Sequence, residues 1–181
     1  MILRLFLACA LITASAAGAY STNNHLNPTT AIQPALDAEA ERLAELDQFW
    51  AELARTVREG DFEGYAATYH PDAVVIFGYG KKPGSMPVAK ALDGWKQGFV
   101  DTKAGKKHDR VEFRFSRRLG DATTAHETGM FIFSSVDADG NVLGEYITHF
   151  EMLLVKRDGQ WLGVMEYQKS EGTMADWEAL Q

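Results

Sequence analysis

Cysteine is almost absent from this 181-residue chain: the single one is Cys9. No intrachain disulfide can form, and stability has to come from packing. The apolar run from Leu5 to Ile12 is well short of the roughly 18 to 20 residues that a membrane-spanning helix needs. Basic residues are in the minority, 18 against 25 acidic, for a formal charge of −7; such a surface repels phosphate backbones and argues against nucleic acid as a partner. Also missing are a His-Glu-x-x-His spacing, a glycine loop that would cradle phosphate, and a Ser, Cys and His nucleophile set. What is present is a 46% apolar content, enough for one well-buried domain and too little chain for two full ones.

The first nineteen residues read as a secretion signal. Arg4 gives a positive start, Leu5 to Ile12 the apolar stretch, and Ala17-Gly18-Ala19 the small-x-small cleavage pattern, with the cut before Tyr20. A membrane anchor is the competing reading, disfavoured by the shortness of the run. A lipid-attached Cys9 after Ala8 is another, disfavoured because the apolar run continues through Leu11 and Ile12. The expected product is exported, periplasmic or secreted, without stable membrane insertion, and loss of Arg4 takes its charge to −8. Residues 20–33 are rich in Ser, Thr and Asn without an apolar period, a flexible leader. Residues 34–170 form the domain and 171–181 a C-terminal tail.

Pro34 suits a first helical position, and Leu36, Leu43, Leu46, Trp50, Leu53 and Val57 recur at helical spacing up to Gly60. Asp61 can cap a short second helix through Tyr69, stopped by Pro71. Ala73 to Phe77 is a short apolar strand, Gly78 to Pro87 a loop, and Val88 to about Lys103 a helix with Leu92, Trp95 and Phe99 on its apolar face. From His108 the period changes to two, predicting strands over 109–118, 122–136, 142–156 and 160–169. Gly120-Asp121, Asp139-Gly140 and Asp158-Gly159 separate them. A two-residue turn at Asp139-Gly140 sets Ala138 opposite Asn141, Phe133 opposite Tyr146, Phe131 opposite Thr148, Gly129 opposite Phe150 and Glu127 opposite Met152, all on one sheet face.

Two stretches, Gly60-Asp61-Phe62 through Ile76-Phe77-Gly78 and Ile147-Thr148-His149 through Gly159-Gln160-Trp161, together resemble the nuclear transport factor 2-like superfamily, in particular its SnoaL-like branch. The resemblance covers about residues 36–170. It implies an α+β fold, a curved antiparallel sheet wrapped around N-terminal helices to leave a conical pocket. Ketosteroid isomerase, in the same superfamily, needs an Asp base, a Tyr and a protonated carboxylic acid. Alignment on those motifs puts Phe77, Leu53 and Thr148 at the three places, so that chemistry is not expected here.

Residues expected to line the pocket are Trp50, Tyr65, Tyr69, Phe77, Trp95 and Phe99 from the helical side, and Phe131, Phe133, Tyr146, Thr148, Phe150 and Tyr167 from the sheet. Taken singly, each aromatic reads more readily as core, since large aromatics mostly supply burial. Glu127 and Glu166 are the candidate acids, an acid/base pair if both point inward. The orientation of Glu166 stays open. Counting from Asp158-Gly159 puts Met165 and Tyr167 on the pocket face, whereas the superfamily alignment puts Val164, Glu166 and Gln168 there, and one β-bulge exchanges the two.

His149 falls on the outer face beside Met130. With Ile132, Leu153 and Val155 that face is apolar enough to need cover, and a second copy of the chain is the expected partner. A metal site from His126, His149 and Glu151 is the sharper alternative, unsupported by any metal-binding spacing. Asp137-x-Asp139-x-Asn141 lacks the glycine and final Glu of a calcium loop and reads as a turn. Lys81 and Lys82 read as solvated loop charges, and neither Asn27 nor Asn141 sits in a glycosylation sequence. No motif calls for a cofactor or a metal. The leading expectation is an exported domain that binds a small, largely apolar molecule. The alternatives are a cofactor-independent lyase, cyclase or isomerase using the acidic residues, and a structural homo-association domain.

Overall fold

The computed structural model describes residues 28–180; the expected signal and residues 20–27 of the expected leader lie outside them. Helix α1 runs Pro28–Glu59, α2 Phe62–Ala67, α3 Val88–Lys103 and α4 Met174–Ala179. The strands are β1 Tyr69–Phe77, β2 Gly84–Pro87, β3 Lys107–Gly120, β4 Thr124–Asp137, β5 Val142–Arg157 and β6 Gln160–Glu171. They form one six-stranded sheet in the order β2-β1-β6-β5-β4-β3. Every pairing is antiparallel except β1 with β6, so the sheet is mixed where an antiparallel one was expected. The chain enters β1 after α1 and α2, pairs it with β2 on one side, and fills the other side only with β6, which permits a parallel pair.

Helix α1 packs its Leu46, Trp50, Leu53 and Val57 stripe against the inner sheet face, all of them buried. It starts six residues before the predicted Pro34, which lies inside it. Leu36, expected on the buried stripe, is 57% exposed. A positive φ at Gly60 (65°) ends α1; a Cβ there would lie 2.4 Å from the backbone nitrogen of Lys103, so only glycine lets α1 and α3 approach this closely. Asp61 then caps α2, accepting from the Gly64 amide at 3.0 Å. The helix stops at Ala67 and Tyr69 is already extended, so Pro71 falls in an irregular stretch of β1.

The expected register of the β4–β5 hairpin holds from Glu127–Met152 to Phe133–Tyr146. Near the turn it slips: Val136 pairs with Val142 and the Asp137 amide donates to the Asn141 carbonyl at 2.9 Å, so Ala138 and Asn141 do not face each other. On β6 a second irregularity has a larger consequence. Leu154 pairs with Gly163 but Leu153 with Met165, leaving Val164 as the extra residue. That bulge turns Glu166 and Gln168 to the inner face, opposite Met152 and Phe150, and puts Tyr167 on the other face with Glu151.

The C-terminal residues are not a loose tail. Thr173 and Asp176 form a reciprocal capping box at the start of α4. The Arg114 guanidinium lies 4.5 Å from the ring centre of Trp177 and donates to the carbonyls of Trp177 and Leu180 at 2.8 and 2.9 Å. Gly172 donates its amide to the Ile147 carbonyl and passes beside Met130 and His149. Met130 is consequently 1% exposed. The Met130 end of the outer-face patch is covered here by the chain's own C-terminus, while Leu153 on the same face is 39% exposed.

Candidate functional site

Between α1, α2, α3 and the inner sheet face lies an open cavity of about 450 Å³, within the range of small-molecule sites. Trp50, Tyr65, Tyr69, Phe77, Trp95, Phe131, Phe133, Tyr146 and Thr148 all line it. Tyr146 stands at the mouth, stacked on Phe133 with ring centres 6.3 Å apart. Tyr167 does not line the cavity, for the bulge at Val164 has turned it away. Gln168 does, as the superfamily alignment implied. Tyr79, Gly94, Gly98, Lys107 and Asp109 line it without having been singled out from the sequence.

The two candidate acids part company. Glu127 is fully buried but absent from the cavity wall. Trp50 donates its Nε1–H to it at 2.7 Å, and Arg118 donates from Nε and a terminal nitrogen at 2.9 and 3.0 Å. Every oxygen of this carboxylate faces a fixed donor, one of them a cation, so Glu127 joins β3, β4 and α1 and has no free edge for a ligand. The two glutamates form no acid/base pair.

Glu166 does line the cavity, and its partners carry no charge. Tyr69 donates its hydroxyl to Oε2, Gln168 donates from Nε2 to Oε1 at 2.8 Å, and the Tyr65 and Tyr69 hydroxyls are 3.2 Å apart. Burial pushes the Glu166 carboxyl above its ordinary range, outweighing the opposing pull of the Tyr69 and Gln168 hydrogen bonds. Burial, with the nearby carboxylate, also raises both tyrosine hydroxyls, so they remain protonated donors.

The direction of this chain follows its protonation. With Glu166 ionised, Tyr65 can donate to Tyr69 and Tyr69 to the carboxylate, leaving the Tyr65 oxygen as an acceptor for the cavity. With Glu166 neutral, its own hydrogen can pass to Tyr69, Tyr69 to Tyr65, and the Tyr65 hydroxyl turns outward as a donor. A group that switches between accepting and donating beside an apolar cavity is what general acid–base catalysis requires.

Elsewhere on the wall, Tyr79 and Thr148 share a 2.6 Å hydrogen bond. At the far corner of the sheet Lys107 donates to Asp109 Oδ2 and Ser135 to Oδ1, both at 2.6 Å. On the outer face His126 lies 3.1 Å from Glu151, which also accepts from Lys169 at 2.6 Å, while the acid near His149 is Asp176, at 3.8 Å. His126, His149 and Glu151 therefore do not converge, and no group of three or more His, Cys, Asp or Glu among the described residues is placed to hold a metal. No described helix is long and apolar enough to cross a membrane.

No family model matches the sequence, and no curated protein does. Solved structures do. Aln2 from a Streptomyces species superposes with a TM-score of 0.58 at 20% identity, over 70% of this chain and 89% of that one. An NTF-2-like protein of unknown function from Shewanella oneidensis gives 0.53 at 15%, over 69% and 96%. A protein from Catenulispora acidiphila, solved in complex with S-DNPA, gives 0.52 at 21%, over 70% and 91%. The chain therefore has the nuclear transport factor 2-like fold, as its sequence resemblance implied.

Proposed function

We propose that the protein binds a small, largely apolar molecule in its cone and moves a proton on it through Glu166. One observation carries the reading: a buried carboxyl with only uncharged partners, linked through Tyr69 to Tyr65, stands in the wall of an aromatic cavity. The aromatic rings supply contact area for the ligand, and the carboxyl supplies a proton acceptor whose affinity is raised by its surroundings. That the Catenulispora protein of this fold was solved with S-DNPA supports the binding half. The proton-transfer half fits an isomerase, cyclase or lyase step on a carbonyl or enol. It does not reuse the ketosteroid isomerase set, since Leu53, Phe77 and Thr148 occupy those places.

The test begins with native mass spectrometry of protein purified from its host, which reports bound organic molecules and subunit number together. The occupant is then returned to the protein in deuterated water. Glu166-dependent wash-in of deuterium, lost in Glu166→Gln with the fold and ligand mass retained, is the expected result. Unchanged wash-in in Glu166→Gln removes Glu166 from the chemistry and leaves binding alone. Export is part of the proposal and rests on the pattern of residues 1–19; recovery of a chain beginning at Tyr20 outside the cytoplasm checks it.

A further inference from the structure

The cavity has a second polar end, at the opposite corner of the inner sheet face from Glu166. Lys107 and Asp109 lie near the start of β3, where Asp109 pairs with Ser135, far along β4 from the level of Glu166, Met152 and Glu127. Their side chains are 20% and 8% exposed. The Ser135 hydroxyl fixes one oxygen of Asp109 at 2.6 Å, and Lys107 holds the other. A lysine ammonium has three donors and a carboxylate oxygen two lone pairs, so this contact leaves both partners with unused capacity. Apart from Glu166, these are the only Asp, Glu, Lys, Arg or His side chains among the described residues that line the cavity.

Helix α3 is opened opposite them. Gly94 and Gly98 are one helical turn apart and both line the cavity. A Cβ at Gly94 would meet nothing within 4 Å; at Gly98 its nearest neighbours would be the Lys107 ammonium at 3.4 Å and Asp109 Oδ2 at 4.0 Å. Neither glycine has the left-handed backbone found at Gly60 and Gly105. Alanine would fit both, and glycine in a helix interior is the less stable choice. What the glycines provide is space, and at Gly98 that space lies directly over the ion pair.

We propose that Lys107 and Asp109, under the opening left by Gly94 and Gly98, bind the uncharged hydroxyl or phenol head of an otherwise apolar aromatic ligand. The head oxygen accepts from Lys107 Nζ and its hydrogen goes to Asp109 Oδ2. Because the two charges balance each other, an anionic head would meet the Asp109 carboxylate and a cationic head the Lys107 ammonium. This inference rests on the cone being a ligand site. It assigns the end remote from the proton-transfer residues, and so the orientation in which a ligand would lie.

Isothermal titration of the full chain with naphthalene, 2-naphthol and 2-naphthoate tests it, on wild type and on Gly98→Ala, Lys107→Met and Glu166→Gln. The expected result is that 2-naphthol binds wild type about tenfold more tightly than naphthalene, the effect of hydrogen bonds to charged partners, and more tightly than 2-naphthoate. That preference should vanish in Gly98→Ala and Lys107→Met and persist in Glu166→Gln. Gly98→Ala should also melt no earlier than wild type, which keeps the test valid if Lys107→Met folds poorly. A preference that survives Gly98→Ala, or is lost only in Glu166→Gln, overturns the assignment while the cone remains a ligand site, as does tighter binding of 2-naphthoate. Failure of all three probes to bind wild type overturns the ligand-site reading and this inference together.

Discussion

Glu127 and Glu166 are both buried glutamates on the inner face of one sheet, yet the first is enclosed by a cation and the second by neutral groups. Arg118 meets Glu127 through two parallel hydrogen bonds, and Trp50 fills a further acceptor site. That arrangement gives both carboxylate oxygens fixed donors, two of the hydrogen bonds charge-assisted. Around Glu166 there is a phenol and an amide, which solvate a carboxylate weakly and tolerate its neutral form. Burial alone does not make a carboxyl chemically available; Glu166 lines the cavity and Glu127 does not.

Removing the cation should produce the largest effect on this contrast. Arg118→Ala would leave a fully buried Glu127 with Trp50 as its remaining strong donor, and breaking a buried pair in this way costs about 3 kcal/mol or more. Urea unfolding at pH 7 measures it. A loss below about 1 kcal/mol, the scale of an exposed ion pair, would mean that the two glutamates are held in comparable ways. Tyr69→Phe should cost less, about 1 to 2 kcal/mol for a lost hydrogen bond to a buried acceptor. It also cuts the link from Glu166 to Tyr65, so deuterium exchange into a bound occupant should fall more than stability does. Equal exchange in Tyr69→Phe and wild type would place the proton path elsewhere.

The same contrast explains what could be read from the sequence. Alternation and the Asp-Gly turn brought Glu127 to the inner face with the right cross-strand partner, Met152. They could not identify Arg118 as its counter-ion, because that contact depends on a register shift between Phe115 and Arg117 on β3. For Glu166, hairpin counting alone gave the wrong face; the bulge at Val164 reverses it, and nothing in Gly163-Val164-Met165 marks a bulge beyond one ordinary glycine. The aromatic wall was legible because large side chains at regular spacing signal burial whichever helix or strand carries them. Lys107 and Asp109 were not, since a charged residue at a strand start is usually solvated and their inward placement needs the whole curved sheet. The covering by α4 was missed because its six residues are too few to show a period, and its anchor, Arg114 against Trp177, is a long-range contact.

The smallest effect, and the sharpest on the comparison, is in the pH dependence of stability. In the unfolded chain Glu166 ionises near the ordinary carboxyl value of 4.5, whereas in the folded protein burial raises that value. Between the two, the folded state holds a proton that the unfolded state has released, so stability falls as pH rises through this window and levels off above the folded value. Glu166→Gln should lose this component of the slope: compared with wild type it should gain relative stability as pH rises from 4.5, measured as the difference in urea midpoints across the range. Arg118 and Glu127 supply a control, because Glu127→Gln leaves Glu166 untouched and should retain the component. A Glu166→Gln protein whose stability runs parallel to wild type at every pH would show that Glu166 ionises normally when folded. Its hydrogen bonds would then hold it in place rather than poise it for proton transfer.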